Sequence, residues 1–435
     1  MVGKTLLTDQ SPSRTGLVGP FARLGRPGWM APALLGGFPL WWALGLGELI
    51  FALITPLLLW DLVRHRAPEA PRSLALYAGF VIAVAASGLM LERPSALLGW
   101  AVRTAQYAGI GLLLPYCVTH RRHLAARHLL GSLVWLWVAA IGAGLAGLLL
   151  GPRSFPTPLL FILPDGITSN PFVAEQLRPG LADVDRFLGF TSVRPKAPFT
   201  YTNGWGAAVG LLFPVAALGA VRDLGVPQRL VRVSLVVAAL PIIASLNRGL
   251  WLSLALGLLY GGSLVVRRHG SRAVVTLLLG AALTTAAVAV SPLGSLVEQR
   301  LRTGHSDADR AELYLQVIDE LDASPVLGFG APRPTDDGPP LGTHGQLWVV
   351  LFSHGLLGAV LYFGFFGAQL LDSLRGRSPE ELTGHVILAI GATQIFFYGH
   401  VPQQLAILMT VIAAIHLRRF ELAAGTAEPR EAGAT

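Results

Sequence analysis

Three short stretches of this 435-residue chain carry side chains that suit a charged, hydroxyl-rich ligand. The first holds Arg194, Lys196, Tyr201, Asn203 and Trp205 within a dozen positions. Two cations beside aromatic rings and an amide fit a phosphate with an attached sugar, the rings lying against the sugar face. The same residues also read as an aromatic belt with basic flanks at a membrane surface. The second stretch is Ser245-Leu246-Asn247-Arg248, where an arginine opens a very apolar run. A guanidinium grips a phosphate or pyrophosphate through two parallel hydrogen bonds, which Lys cannot imitate. Equally, it can act as a snorkelling anchor. The third is Thr343-His344-Gly345, after a loop rich in Gly and Pro. A neutral imidazole there could take a proton from a hydroxyl. His400, with Gln403 and Gln404 nearby, is a further candidate of that kind.

Metal and nucleophile chemistry find little support. Asp183-Val184-Asp185 matches the short DxD pattern of many nucleotide-sugar transferases, but three-residue matches are common by chance. Cys117 is the only cysteine, which rules out an intrachain disulfide and a Cys metal site. The zinc-protease HExxH, the P-loop and the GxSxG serine elbow are all missing. We expect no metal and no cofactor.

The elements that must position these residues are membrane helices. Hydrophobic residues make up 53% of the chain and charged residues only 13%, with a mean hydropathy of +0.57. A soluble chain carries roughly a quarter charged residues. The apolar residues fall in blocks long enough to cross a hydrocarbon core of about 30 Å. No polar–apolar alternation of an outer-membrane barrel is seen. The fold class expected is an all-α integral membrane protein with about twelve spans. They fall at 31–46, 48–63, 73–91, 97–118, 128–150, 202–222, 229–245, 248–266, 271–291, 344–371, 383–399 and 402–418. Residues 31–63 could form either two short helices or one long tilted one.

With the N-terminus inside, every short inner joint is basic: Arg64, Arg66 and Arg72; Arg121, Arg122 and Arg127; Arg222, Arg229 and Arg232; Arg267, Arg268 and Arg272; Arg375 and Arg377; Arg418 and Arg419. That placement explains the net charge of +8 without a nucleic-acid partner. Two long outward loops remain, 151–201 and 292–343. The second holds an amphipathic helix with Ser306 as its cap and Leu313, Tyr314, Val317, Ile318 and Leu321 as its apolar stripe, lying along the membrane surface. Residues 1–30 and the tail from 420 read as disordered and cytoplasmic, around a membrane domain at 31–419.

These pieces together resemble the O-antigen ligase/polymerase family of bacterial envelope glycosyltransferases. Four patches carry the resemblance: Pro39 to Gly47, Arg194 to Trp205, Ser245 to Gly249, and the run from Arg310 through Pro325-Val-Leu-Gly328-Phe-Gly330 to Thr343-His344, followed by Gly355-Leu-Leu-Gly358. The resemblance implies a metal-independent, inverting, GT-C-like transfer on the outer face of the bacterial inner membrane. The donor would be a glycan on undecaprenyl pyrophosphate, and the acceptor a hydroxyl of another glycan or glycolipid. It assigns Arg194 and Arg248 to the donor pyrophosphate and His344 to the acceptor hydroxyl, with Arg310 supporting its loop. The chain has Gly345 where many members have Asn, and Tyr-Thr-Asn203 where Asn-Pro-Asn is commoner. A polymerase, or a ligase with an acceptor other than lipid A core, fits better than a lipopolysaccharide ligase.

Two rivals stand beside this reading. A transporter or flippase for lipid-linked oligosaccharide would place its site at mid-membrane between half-helices. A peptidoglycan polymerase would need Asp183, Asp185 or Asp309 to be indispensable.

Overall fold

The computed structural model describes residues 19, 21–65, 71–187, 190–269, 305–335, 340–400 and 402–427. The span expected at 271–291 lies outside them. The described chain is mostly helical. Its helices are α1 (Met30–Gly36), α2 (Phe38–Ala43), α3 (Ile50–Leu53), α4 (Thr55–His65), α5 (Leu74–Ala86), α6 (Leu97–Thr119) and α7 (Ala126–Leu150). The short α8 (Asp165–Thr168) and α9 (Pro171–Leu177) precede a hairpin of β1 (Ala182–Phe187) and β2 (Phe190–Pro195). Then come α10 (Thr202–Gly219), α11 (Gln228–Val237), α12 (Ala239–Ala244), α13 (Arg248–His269), α14 (His305–Leu321), α15 (Gln346–Ser373), α16 (Pro379–Gln394) and α17 (Gln403–Ala427).

Three stretches, Ala126–Leu150, Arg248–Arg267 and Gln346–Ser373, are long and apolar enough to cross a membrane by length and composition. The centre of the bundle is α17. Its residues from Leu405 to Ile415 are buried all round, against α6, α7, α10 and α16. A helix apolar on every face is stable only when surrounded, and the neighbours supply that shell.

Several boundaries differ from the sequence expectation. Residues 31–63 are two helical arms, not one helix: the chain turns between Ala43 and Ile50, with Gly45 at φ +86°. The stretch at 229–245 divides into α11 and α12. The tail expected to be disordered from 420 continues as helix to Ala427, because Glu421 accepts from Ala126 N–H at 2.7 Å and Arg121 stacks over Phe420. Residues 21–29, also expected to be disordered, form successive turns held to α7 by Arg23. The hairpin is an addition to the loop reading of 151–201. Its register pairs Asp183 with Arg194 and Asp185 with Ser192, so alternate residues of β1 put both aspartates on one face.

The sequence stripe on α14 is only partly a membrane face. Leu313 and Val317 pack with Phe329, Leu341 and Phe352, and Tyr314 stacks on Trp348 with ring centroids 4.3 Å apart. Ile318 stays exposed. The helix therefore leans on the start of α15.

That helix is broken at Gly355, whose φ of 62° and ψ of −167° belong to a region that only glycine adopts freely. The Pro325–Gly330 loop fills the break. Phe329 N–H donates to Phe352 O at 2.9 Å, Gly330 N–H to Ser353 O at 2.8 Å, and Leu356 N–H to Pro325 O at 2.8 Å. Backbone groups freed within a bilayer must find such partners. A Cβ on Gly355 would come within 2.3 Å of Val326 O. Gly355→Ala should therefore cost on the order of 3 kcal/mol. Gly367→Ala, further along the same helix with nothing within 4 Å of its Cβ, should be neutral or slightly stabilising. Thermal unfolding of the two purified variants in detergent compares them directly.

Candidate functional site

The N-termini of α6, α10, α13 and α15, the start of α17 and the hairpin share one end of the bundle, and most of the sequence candidates lie there. Arg194 leaves β2 and donates from Nε to Ser245 O at 2.7 Å, while Nη1 forms an ion pair with Asp185. Its Nη2 makes no hydrogen bond among the described residues. Lys196 pairs with Asp183 at 2.7 Å. Both carboxylates of the DxD pattern are thus engaged by cations, Arg194 on the partner strand and Lys196 just beyond its end.

Ser245 opens the turn before α13. Leu246 sits there at φ +47°, the only non-glycine residue with positive φ among those described. Such backbone persists only where its surroundings hold it, and it clusters at functional sites. Asn247 then caps α13, accepting from Leu250 N–H at 3.2 Å. Arg248 follows at the first helical position. Arg194 and Arg248 therefore flank one turn.

Asn247 reaches in two more directions. Its amide nitrogen donates to Thr202 O at 3.5 Å and to Asn203 Oδ1 at 3.4 Å, and its oxygen accepts from the Tyr398 hydroxyl. Tyr398 O in turn accepts from Gln346 N–H at 2.8 Å. His344 stands two residues before Gln346, so the chain of contacts runs from Arg248 to the mouth of α15. The intervening Gly345 has φ +96°, and a Cβ there would lie 2.6 Å from Phe396 O. Only glycine fits that position.

The proton positions at His344 follow from its neighbour. The Thr343 hydroxyl donates to Pro340 O at 2.6 Å, so it can only accept from His344 Nδ1, 3.0 Å away. In the neutral ring Nδ1 then carries the hydrogen and Nε2 the lone pair, the tautomer a proton acceptor needs.

Two expected ligand contacts take other places. Trp205 is fully buried, with its indole donating to Ala140 O at 3.0 Å and its ring against Gly144. It fastens α10 to α7 and offers no face to a sugar. His400 is 1% exposed, its backbone N–H bound to Gln346 Oε1 at 2.8 Å and its ring 3.4 Å from the Tyr362 hydroxyl. The turn between α16 and α17 folds inward, taking His400 beneath the site. Tyr201 and Asn203 remain open. The Tyr201 hydroxyl donates to Glu175, and partial burial together with that hydrogen bond raises its pKa above the ordinary phenol value. The Arg310 side chain lies outside the described residues.

Sequence reading missed a second polar cluster beside this one. Glu48, in the turn after Gly45, accepts from the Thr200 hydroxyl at 2.8 Å, and its backbone N–H donates to Gln176 Oε1 at 3.2 Å. Gln106 donates to Glu48 O at 3.0 Å, while Arg103 faces the carboxylate electrostatically. Among the described residues Arg103 makes no hydrogen bond or ion pair. Glu48 lay hidden because it is a lone acid inside an apolar block.

The arrangement defines a helical membrane protein with an arginine- and histidine-bearing polar site at one end. Residues 233–363 match the sequence model of the O-antigen ligase family, a stretch that contains Arg248, Arg310, His344 and the broken helix at Gly355. The family resemblance is borne out over that stretch, which holds two of its four sequence patches, Ser245 to Gly249 and Arg310 to Gly358, and with it the broad type, a membrane glycosyltransferase of the ligase/polymerase kind. No curated protein matches the chain.

The contacts of Asn247 yield a graded expectation. Tyr398→Phe removes one hydrogen bond and should lower stability by about 1 kcal/mol. Asn247→Ala also removes the cap of α13 and should cost roughly twice that. Both variants should reach the membrane, and unfolding midpoints in detergent would rank them.

Proposed function

We propose that the chain transfers a glycan from an undecaprenyl-pyrophosphate donor to an acceptor hydroxyl on the outer face of the bacterial cytoplasmic membrane. It would act as a polysaccharide polymerase, or as a ligase whose acceptor is not lipid A core. Both termini would face the cytoplasm. The observation that carries this reading is the single chain of contacts joining Arg194, the Ser245–Asn247 turn, Arg248 and the mouth of α15 at His344.

In the proposed step the acceptor oxygen attacks the anomeric carbon from the side opposite the leaving group. The bond from that carbon to the pyrophosphate oxygen breaks with inversion. The electron pair goes to the pyrophosphate, where Arg194 and Arg248 hold the growing negative charge. The hydroxyl proton goes to His344 Nε2. Asp185 keeps the Arg194 guanidinium oriented before the donor arrives. Lys196, Tyr201 and Asn203 border the sugars. Arg103 and Glu48 give the acceptor side a further cation and a further acceptor. The two arginines supply by electrostatics what a metal ion supplies in other transferases, so we propose a metal-independent reaction.

The rival reading, transport of a lipid-linked oligosaccharide, is separated by one experiment. Arg194→Ala, Arg248→Ala and His344→Ala are expressed in a strain lacking the gene, with membrane abundance measured alongside surface glycan. Normal abundance with transfer reduced about 100-fold or more is expected for Arg248→Ala. Accumulation of single lipid-linked repeats would mark a polymerase, and of full-length chains a ligase. Full glycan in all three variants would remove the site assignment and favour the transporter.

A further inference from the structure

Near the start of α7, at the far end of that helix from the hairpin, the Arg23 guanidinium meets the His128 ring with no carboxylate paired to it. Arg23 donates from Nη2 to His123 O at 2.5 Å, and its Nη1 lies 3.0 Å from His128 Nε2. The other ring nitrogen of His128, Nδ1, accepts from Ala125 N–H at 3.0 Å. A backbone N–H aimed at Nδ1 forces the hydrogen onto Nε2. Arg23 Nη1 then faces the Nε2 hydrogen at its nearer contact, and the one ring acceptor in reach, Nδ1 at 3.4 Å, is shared with Ala125 N–H. Arg23 Nε is buried and has no partner either.

These groups line a cavity of about 190 Å³ whose walls also include Arg127, Ser132, Asp223 and Leu224. Liquid water takes roughly 30 Å³ per molecule, so one phosphate group fits easily. No carboxylate is paired with these groups, although Asp223 stands in the cavity wall. Asp223 accepts from Gly225 N–H, and Glu421 is bound to Ala126 N–H and Arg418. Among the described residues no acid pairs with Arg23, Arg26 or Arg127. Burial first, and then the fields of Arg26 and Arg127, hold the Arg23 guanidinium below its ordinary pKa. Asp223 is the one acid in the cavity wall, against the cations Arg23 and Arg127, so the lining keeps an excess of positive charge that water would not offset.

We propose that Arg23, Arg127 and His128 form a binding site for a phosphate oxyanion at this end of the bundle. An acceptor oxygen beside Arg23 Nη1 and His128 Nε2 would take a hydrogen bond from each, with the Arg127 charge nearby. The site lies about 36 Å along α7 from the hairpin end, so it takes no part in the proposed transfer and does not rest on it. The basic joints read from the sequence put it at the inner surface, where anionic phospholipid headgroups present this chemistry.

The test uses the full chain purified in detergent, with its unfolding midpoint followed as either inorganic phosphate or phosphatidylglycerol is added. Sodium chloride at matched ionic strength and phosphatidylcholine serve as the comparisons. A rise of about 2 °C or more with one probe is expected for the wild type. It should vanish in Arg23→Gln and shrink in Arg127→Gln. A rise with phosphatidylglycerol alone assigns the site to a lipid headgroup, and a rise with inorganic phosphate to a free phosphate compound. Arg23→Lys, which keeps the charge but lacks the fork, should also lose the response and stands in if Arg23→Gln does not fold. No rise with either probe, or a rise retained in the Arg23 variants, overturns the proposal.

Discussion

One buried amide holds the site end of this protein together. Asn247 is 5% exposed and hydrogen-bonds at once to the start of α13, to Thr202 and Asn203 of α10, and to Tyr398 after α16. A polar group this deep costs several kcal/mol if left unpaired. Three helices are therefore fixed relative to one another by one side chain, and space is kept for it. A Cβ on Gly206 would lie 2.4 Å from the Asn247 amide nitrogen, and one on Gly249 would lie 2.7 Å from the Tyr398 hydroxyl.

The ion pairs around Arg194 and Lys196 serve a related purpose. A half-buried pair between Arg194 and Asp185 adds little net stability once desolvation is counted. What it gives is orientation: a side chain with many rotamers is held in one. At the opposite end the same economy is seen. Arg419 bridges Asp372 and Glu381, and Glu381 also closes the capping box of α16 through Ser378. Burial tends to raise the Glu381 pKa, but the Ser378 and Arg377 N–H groups and Arg419 outweigh it and hold the carboxyl below the usual value.

Much of the helical plan was legible, because long apolar blocks closed by basic joints suit membrane helices and little else. The positions of Arg194, Arg248 and His344 at one end of the bundle were legible for a similar reason: charge or imidazole at a helix mouth stands out against the apolar blocks. Trp205 was misplaced because an aromatic residue reads alike whether it faces a sugar or a glycine on the next helix. His400 was misplaced because a short joint looks like a mouth until its turn is seen to fold inward. Glu48, Gln346 and Tyr398 carry no local pattern at all, since their partners sit far away in the sequence. The hairpin was missed because two six-residue strands, one carrying Asp183-Val184-Asp185 and the other Thr191-Ser192, resemble an ordinary polar loop. Gly345, noted in the sequence as a departure from its relatives, has a local cause in its positive φ and the carbonyl beside it.

The break in α15 also has a meaning for how such sequences can vary over time. Gly355 and Gly328 each make room for the other's backbone: a Cβ on Gly328 would lie 2.4 Å from Phe352 O, and one on Gly355 would lie 2.3 Å from Val326 O. Neither can drift alone without leaving carbonyls of the other stretch unpaired. A lineage that restored a continuous helix at 355 would lose its reason to keep glycine at 328. The two motifs, distant in the chain, should therefore be gained and lost as one inherited unit.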